Sequence, residues 1–77
     1  MEIERFVKEF AEQFIETDAD AITTETVFRE IPEWSSLIAL SIIAMVDTEY
    51  GIKLKGNDLR VAKTVQDVYD IVKSRGE

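Results

Sequence analysis

The chain has 77 residues, with 16 acids against nine bases, a net charge of −7, and neither cysteine nor histidine. A domain this small holds one modest core, and the missing residue types exclude disulfides, thiolate metal sites, histidine acid–base catalysis and a histidine pH switch. The acidity argues against nucleic acid, whose phosphates need clustered cations, and favours partners with positive patches.

Residues 2–16 place Ile3, Phe6, Val7, Phe10 and Phe14 at helical spacing, with Glu2, Glu4, Glu9, Glu12 and Glu16 mostly on the opposite face. This predicts a first amphipathic helix. Its three phenylalanines read as core, since a small bundle needs large side chains to bury enough area. Glu4 and Lys8 add an i,i+4 pair. From residue 17 to residue 35 the periodicity stops and threonines, acids and one proline take over, which makes a long connection. Ile22, Val27, Phe28 and Ile31 are expected to pin it to the core, with a short turn at Thr23 or Thr24. Pro32 biases Ile31 away from helix. Ten of the 16 acids and three of the nine bases lie in residues 1–35.

Ser35 and Ser36 precede the longest apolar run of the sequence, residues 37–46, which only Ser41 interrupts. Hydroxyls there suit a helix N-terminus, where they accept from open backbone N–H groups. The pattern predicts a second helix from Ser36 to about Tyr50, ended by Gly51. Ile42, Ile43, Val46 and Tyr50 form its inward stripe, and Leu37, Ile38, Leu40, Ala44 and Met45 cannot all share it. Part of this helix therefore presents apolar surface to water or to a partner. After Ile52 and Leu54, Asn57 or Asp58 is placed to cap a short third helix containing Leu59, Val61 and Ala62. Thr64-Val65-Gln66-Asp67 has the form of a capping box with Asp for Glu. The last helix follows, with Val65, Val68, Ile71 and Val72 inward, Tyr69 at an edge, and a tail that frays after Lys73.

The N-terminal segment is broken by Glu2, Glu4 and Arg5, and the 37–46 run is too short to cross a bilayer, so neither a signal peptide nor a membrane span is expected and the cytoplasm is the default compartment. Glu30, Glu33, Asp47 and Glu49 lack the spacing of a calcium loop and read as solvated surface, with no metal site. No paired catalytic constellation is present.

Trp34-Ser35-Ser36-Leu37, then Leu40, Ile42, Ile43 and Val46, then Glu49-Tyr50-Gly51-Ile52-Lys53-Leu54 and Lys63-Thr64-Val65-Gln66-Asp67-Val68, resemble an acyl carrier protein from end to end. The resemblance implies an all-α, single-domain four-helix bundle over residues 1–77, with a long loop between helices 1 and 2 and a short third helix. It implies a non-enzymatic, monomeric carrier. Ser36 falls on the family's serine, which receives 4′-phosphopantetheine from coenzyme A through a Mg²⁺-dependent phosphopantetheinyl transferase. The arm's thiol then holds acyl groups as thioesters for acyl-transferring or condensing enzymes of fatty acid, polyketide or related biosynthesis. No nucleic acid and no membrane are implied.

Ser35 stands where the family has aspartate in Asp-Ser-Leu. The family's second helix also carries acids that meet basic patches on partner enzymes, and here those positions are Ser35, Ser41, Ala44, Asp47 and Thr48. Arg60 stands where an acid is common in the third helix. Docking is therefore expected to involve Ser35, Leu37, Ile38, Leu40, Ser41, Ala44 and Asp47, with more apolar contact than is usual for the family. An acyl chain would lie among Phe28, Leu40, Val46, Leu54, Leu59, Ala62 and Ile71, although the same residues make a dry core in any four-helix bundle. The alternative reading is a docking module that keeps the carrier fold without the prosthetic group.

Overall fold

The computed structural model describes residues 2–76 and has four α-helices. The first, α1, spans Ile3–Ala11 and buries Phe6 and Phe10 completely, with Phe14 still in the core at 6% exposure. The helix stops five residues short of the expected end. Gln13 and Phe14 donate to the carbonyls of Phe10 and Ala11, at 3.2 and 3.0 Å, which tightens the turn. The Glu33 carboxylate then takes the backbone N–H groups of Ile15, Glu16 and Thr17, at 2.6, 2.9 and 2.9 Å. A long-range acceptor has replaced the next helical turn.

The connection that follows contains two 3₁₀ turns, Ala19–Ala21 and Phe28–Glu30. Ile22 and Phe28 bury themselves in the core, and Val27 and Ile31 are half-buried. Between them a turn is closed by the Thr23 N–H donating to the Thr26 hydroxyl at 2.8 Å. Ile31 is extended, φ −69° and ψ 126°, as the following proline requires.

The second helix, α2, covers Ser36–Tyr50 and ends on Gly51, whose φ of 69° is the left-handed conformation that glycine adopts without strain. Its inward face is wider than the expected stripe. Ile42 and Val46 are fully buried, Ile38 and Met45 nearly so, and Ile43 and Tyr50 are half-buried. The short α3, Gly56–Val61, starts after Lys55, so neither Asn57 nor Asp58 is its cap residue. Asp58 sits one turn in and accepts from the Lys55 N–H at 2.8 Å. Ala62 falls just past the helix, and Val61 faces solvent at 67% exposure.

The last helix, α4, spans Val65–Gly76. The capping box is present. The Thr64 N–H reaches the Asp67 carboxylate at 3.0 Å, and the Asp67 N–H reaches the Thr64 hydroxyl at 3.2 Å. The connection after α1 completes this helix start, because Val65 and Gln66 donate to the carbonyls of Thr26 and Thr24, at 3.2 and 2.9 Å. Tyr69 is buried and Ile71 only half-buried, the reverse of the expected order. Tyr69 meets Phe6 edge-on at 5.5 Å. The tail does not fray after Lys73, since the helix continues to Gly76 and Arg75 grips Asp58. The result is the expected all-α bundle, in which α1 packs on α2 and α4 while α3 closes against α2 and α4.

Candidate functional site

The centre of the site is the start of α2, where two adjacent serines take different tasks. Ser35 is extended and its hydroxyl accepts from the Ile38 N–H at 3.3 Å, which makes it the cap. Ser36 is the first helical residue and is exposed. Among the described residues no group bonds its hydroxyl. The N–H groups of Ser36 and Leu37 are likewise open, and with the helix dipole they make this end locally positive.

The residues before the serines hold this helix start in place. The Trp34 ring packs on Phe28 at 4.8 Å and on Phe14 at 6.3 Å, and the Trp34 backbone N–H donates to the Ile31 carbonyl at 2.9 Å. Glu33 is bound by the turn after α1, and the Ile15 N–H above all keeps its carboxyl below the usual range. Ser36 thus sits on a fixed corner of the molecule.

Beside Ser36 an open groove of about 660 Å³ runs between the N-terminal half of α2 and α3. Trp34, Leu40, Ile43 and Leu59 supply its apolar wall, and Asn57, Arg29 and Arg60 its polar side. The Arg29 guanidinium donates to the carbonyls of Leu59, Arg60 and Ala62 at 2.8, 2.9 and 2.6 Å. It therefore completes the C-terminal end of α3 with positive charge. Among the described residues no three acidic side chains gather as a metal site.

An apolar helix that begins at an exposed serine, on a bundle closed by a short third helix, is the arrangement that the sequence resemblance implied. Comparison with known proteins agrees. The chain is 32% identical over 73 residues to the acyl carrier proteins of Rickettsia canadensis and Rickettsia rickettsii, covering 95% of this chain and 85% of each relative. The same identity and coverage hold for the acyl carrier protein of Rickettsia prowazekii. The chain belongs to the acyl carrier protein family. No family model and no solved structure matches it. As a member of this family it is a carrier-type protein and not an enzyme. No helix among the described residues is long and apolar enough to cross a membrane.

The structure sorts the carrier's expected contact residues. Leu37 and Leu40 stand at 72% and 61% exposure, Ala44 is exposed and Ser41 is half-buried. They follow one another at helical spacing along a single outer stripe. Ile38 does not join them. It turns inward at 7% exposure because it falls one turn before Ile42 and two turns before Met45 on the buried face. Asp47, the one acid among the positions matched to the family's docking acids, is held by Lys53 at 2.8 Å.

Of the residues named for an acyl chain, Phe28 and Val46 are at 0% exposure, Leu54, Leu59 and Ala62 are buried, and Ile71 is half-buried. Only Leu40 and Leu59 of that set line the groove. Sequence reading missed Arg29, Trp34, Ile43 and Asn57 as groove residues. A lone arginine in a loop and an asparagine before a short helix give no periodic signal, and only the fold brings them to Ser36.

Proposed function

We propose that Ser36 carries 4′-phosphopantetheine in phosphodiester linkage and that the chain delivers acyl intermediates to acyl-transferring or condensing enzymes of fatty acid, polyketide or related biosynthesis. One observation carries this reading: the Ser36 hydroxyl is exposed and has no partner among the described residues at the first position of α2, while Ser35 does the capping. A serine occupied as a cap would have to break its hydrogen bond to react. The arm would supply a terminal thiol that forms a thioester.

The residues present fit the group. Open N–H groups at the helix start favour a phosphate on Ser36, and Arg60 lines the same groove. The wall of Trp34, Leu40, Ile43 and Leu59 offers apolar cargo a surface without opening the packed core. A Mg²⁺-bearing phosphopantetheinyl transferase is the implied first partner, and a monomer in the cytoplasm is the setting.

Ser35 favours a second reading. Its hydroxyl brings no negative charge to a transferase that expects the family's aspartate, so the fold would serve docking alone. Intact-protein mass after incubation with coenzyme A, Mg²⁺ and a transferase from the source organism separates the two. A gain of one phosphopantetheine that is absent from Ser36→Ala supports the carrier. No gain in the wild type, with modification regained in Ser35→Asp, supports the docking module.

A further inference from the structure

The groove beside Ser36 has two arginines in its lining and no carboxylate. Residues 36–46 of α2 carry no charge. The acids of α2 and α3 are each matched: Asp47 with Lys53 at 2.8 Å, Glu49 with Arg5 at 3.2 Å, and Asp58 with Arg75 at 2.5 Å. Lys55 and Lys63 sit beside Asp58 and Asp67. Arg29 faces carbonyl oxygens, and Arg60 is exposed with no carboxylate against it among the described residues. The charge in the groove lining is therefore positive, with Glu30 next to Arg29 in sequence but outside that lining, although the chain carries −7 overall with most of its acids in residues 1–35.

Leu40 shares the groove lining with Arg60 and continues an outer stripe from Leu37, the two leucines standing at 61% and 72% exposure. Apolar surface bordered by cations selects a partner by charge as well as shape, because like charge across an interface penalises the wrong partner. We infer that the α2–α3 face docks a protein whose contact surface is an apolar socket rimmed by carboxylates. This is the opposite charge order to the basic patches that the family resemblance implies. At physiological salt the Debye length is about 8 Å, so acids elsewhere on the chain are largely screened while Arg60 acts at contact. The inference concerns the unmodified surface and does not require the arm on Ser36.

Two synthetic helical peptides test it. They share one leucine stripe and differ only in carrying glutamates or lysines beside it. Each is titrated at about 0.15 M salt into the full chain labelled with ¹⁵N, unmodified at Ser36. The glutamate peptide is expected to shift the amides of Leu37, Leu40 and Arg60 and to bind this face roughly 3- to 10-fold more tightly than the lysine peptide, as expected when the rim contact at Arg60 changes from attraction to repulsion. Arg60→Glu should invert that order, and Leu40→Asn should weaken both peptides. Equal or tighter binding of the lysine peptide at this face overturns the inference. So does the absence of shifts there with millimolar glutamate peptide. A chain that no transferase modifies would give the same peptide result, so failure at Ser36 and failure here remain distinct.

Discussion

The Asp58 carboxylate receives both terminal nitrogens of Arg75, at 2.5 and 2.6 Å, and so ties the start of α3 to the last turn of α4. Asp58 also accepts the Lys55 N–H, so one nearly buried side chain both starts the short helix and anchors the chain end. A six-residue helix is too short to stand by its own propensity and depends on such contacts. Asp58→Ala is expected to lower the melting temperature by roughly 5–10 °C, as loss of a nearly buried, charge-assisted pair does in a domain of this size. Arg75→Ala should follow in the same direction by less. Thermal unfolding followed by circular dichroism checks both.

Acid should unfold the protein from a definite point. The hydrogen bonds from Arg75 lower the pKa of Asp58, the Ile15 N–H lowers that of Glu33, and the Thr64 and Lys63 N–H groups lower that of Asp67, in each case against a smaller opposing effect of burial. The unfolded chain therefore binds more protons than the folded one below the ordinary values of 4.5 for Glu33 and 3.8 for the aspartates. The stability these groups contribute is complete above that range and is lost as pH falls through their lowered values. Denaturant midpoints measured from pH 7 to pH 2 should fall steeply below about pH 4.5. Glu33→Gln should be less stable at pH 7 and show a shallower fall.

Local signals predicted what local physics controls. Ser35 and Gly51 bound α2 because a cap hydroxyl and a left-handed glycine act within one turn, and the Thr64–Asp67 box is local in the same way. The errors lie where a distant residue decides. The helical spacing of α1 runs on to residue 16, but Glu33 captures the N–H groups that would have continued it. The tail was expected to fray, and Arg75 reaches back to Asp58. Ile38 has the composition of a docking residue, and only the rotation of α2 in the bundle shows that it faces inward. The exposed stripe of Leu37, Leu40 and Ala44 was legible as surplus apolar surface, whereas the groove depends on how α3 closes over α2.

Tyr50 governs the alkaline side. Its hydroxyl donates to the Glu9 carboxylate, which Arg5 also contacts at 3.4 Å. Burial first, and then this hydrogen bond, raise the Tyr50 pKa above its ordinary value of 10.0. The folded state therefore holds the proton more tightly than the unfolded one. The resulting stability is complete below pH 10 and is lost as pH rises beyond it. Tyr50→Phe keeps the ring contact with Phe6, should cost about 1 kcal/mol near neutral pH, and should lack the alkaline decline above about pH 10. Denaturant midpoints from pH 8 to pH 11 read the difference.

Capping and modification can be separated at the adjacent serines. Ser35→Ala removes the acceptor for the Ile38 N–H and should cost about 1 kcal/mol. Ser35→Asp keeps an acceptor and places a carboxylate at the helix start, so stability should hold or rise slightly. It should also raise the rate at which a phosphopantetheinyl transferase modifies the chain. Ser36→Ala alters an exposed hydroxyl with no partner among the described residues and should change stability by less than about 0.5 kcal/mol. Loss of modification in Ser36→Ala would then be a chemical effect, since the fold is intact. A rate for Ser35→Asp at or below that of wild type would show that the family's aspartate is not what the chain lacks.

Trp34 is the only tryptophan of the chain and lines the groove, which makes it a built-in reporter of any apolar group that enters there. The core around Phe28, Ile42 and Val46 is closed at 0% exposure, and opening it would forfeit packing worth about 3–5 kcal/mol for a residue such as Phe28. The groove needs no such opening, and its wall of Leu40, Ile43 and Leu59 is already formed. An eight-carbon acyl group loaded through Ser36 should therefore shift Trp34 emission to shorter wavelength as water leaves the indole, whereas the unacylated arm should not. Leu40→Asn should abolish the shift while leaving the melting temperature within about 2 °C, because Leu40 stands at 61% exposure and adds little to the core. Val46→Ala should do the reverse, lowering stability by about 1–3 kcal/mol while the shift persists. If Val46→Ala removes the shift and Leu40→Asn does not, the cargo enters the bundle rather than lying in the groove.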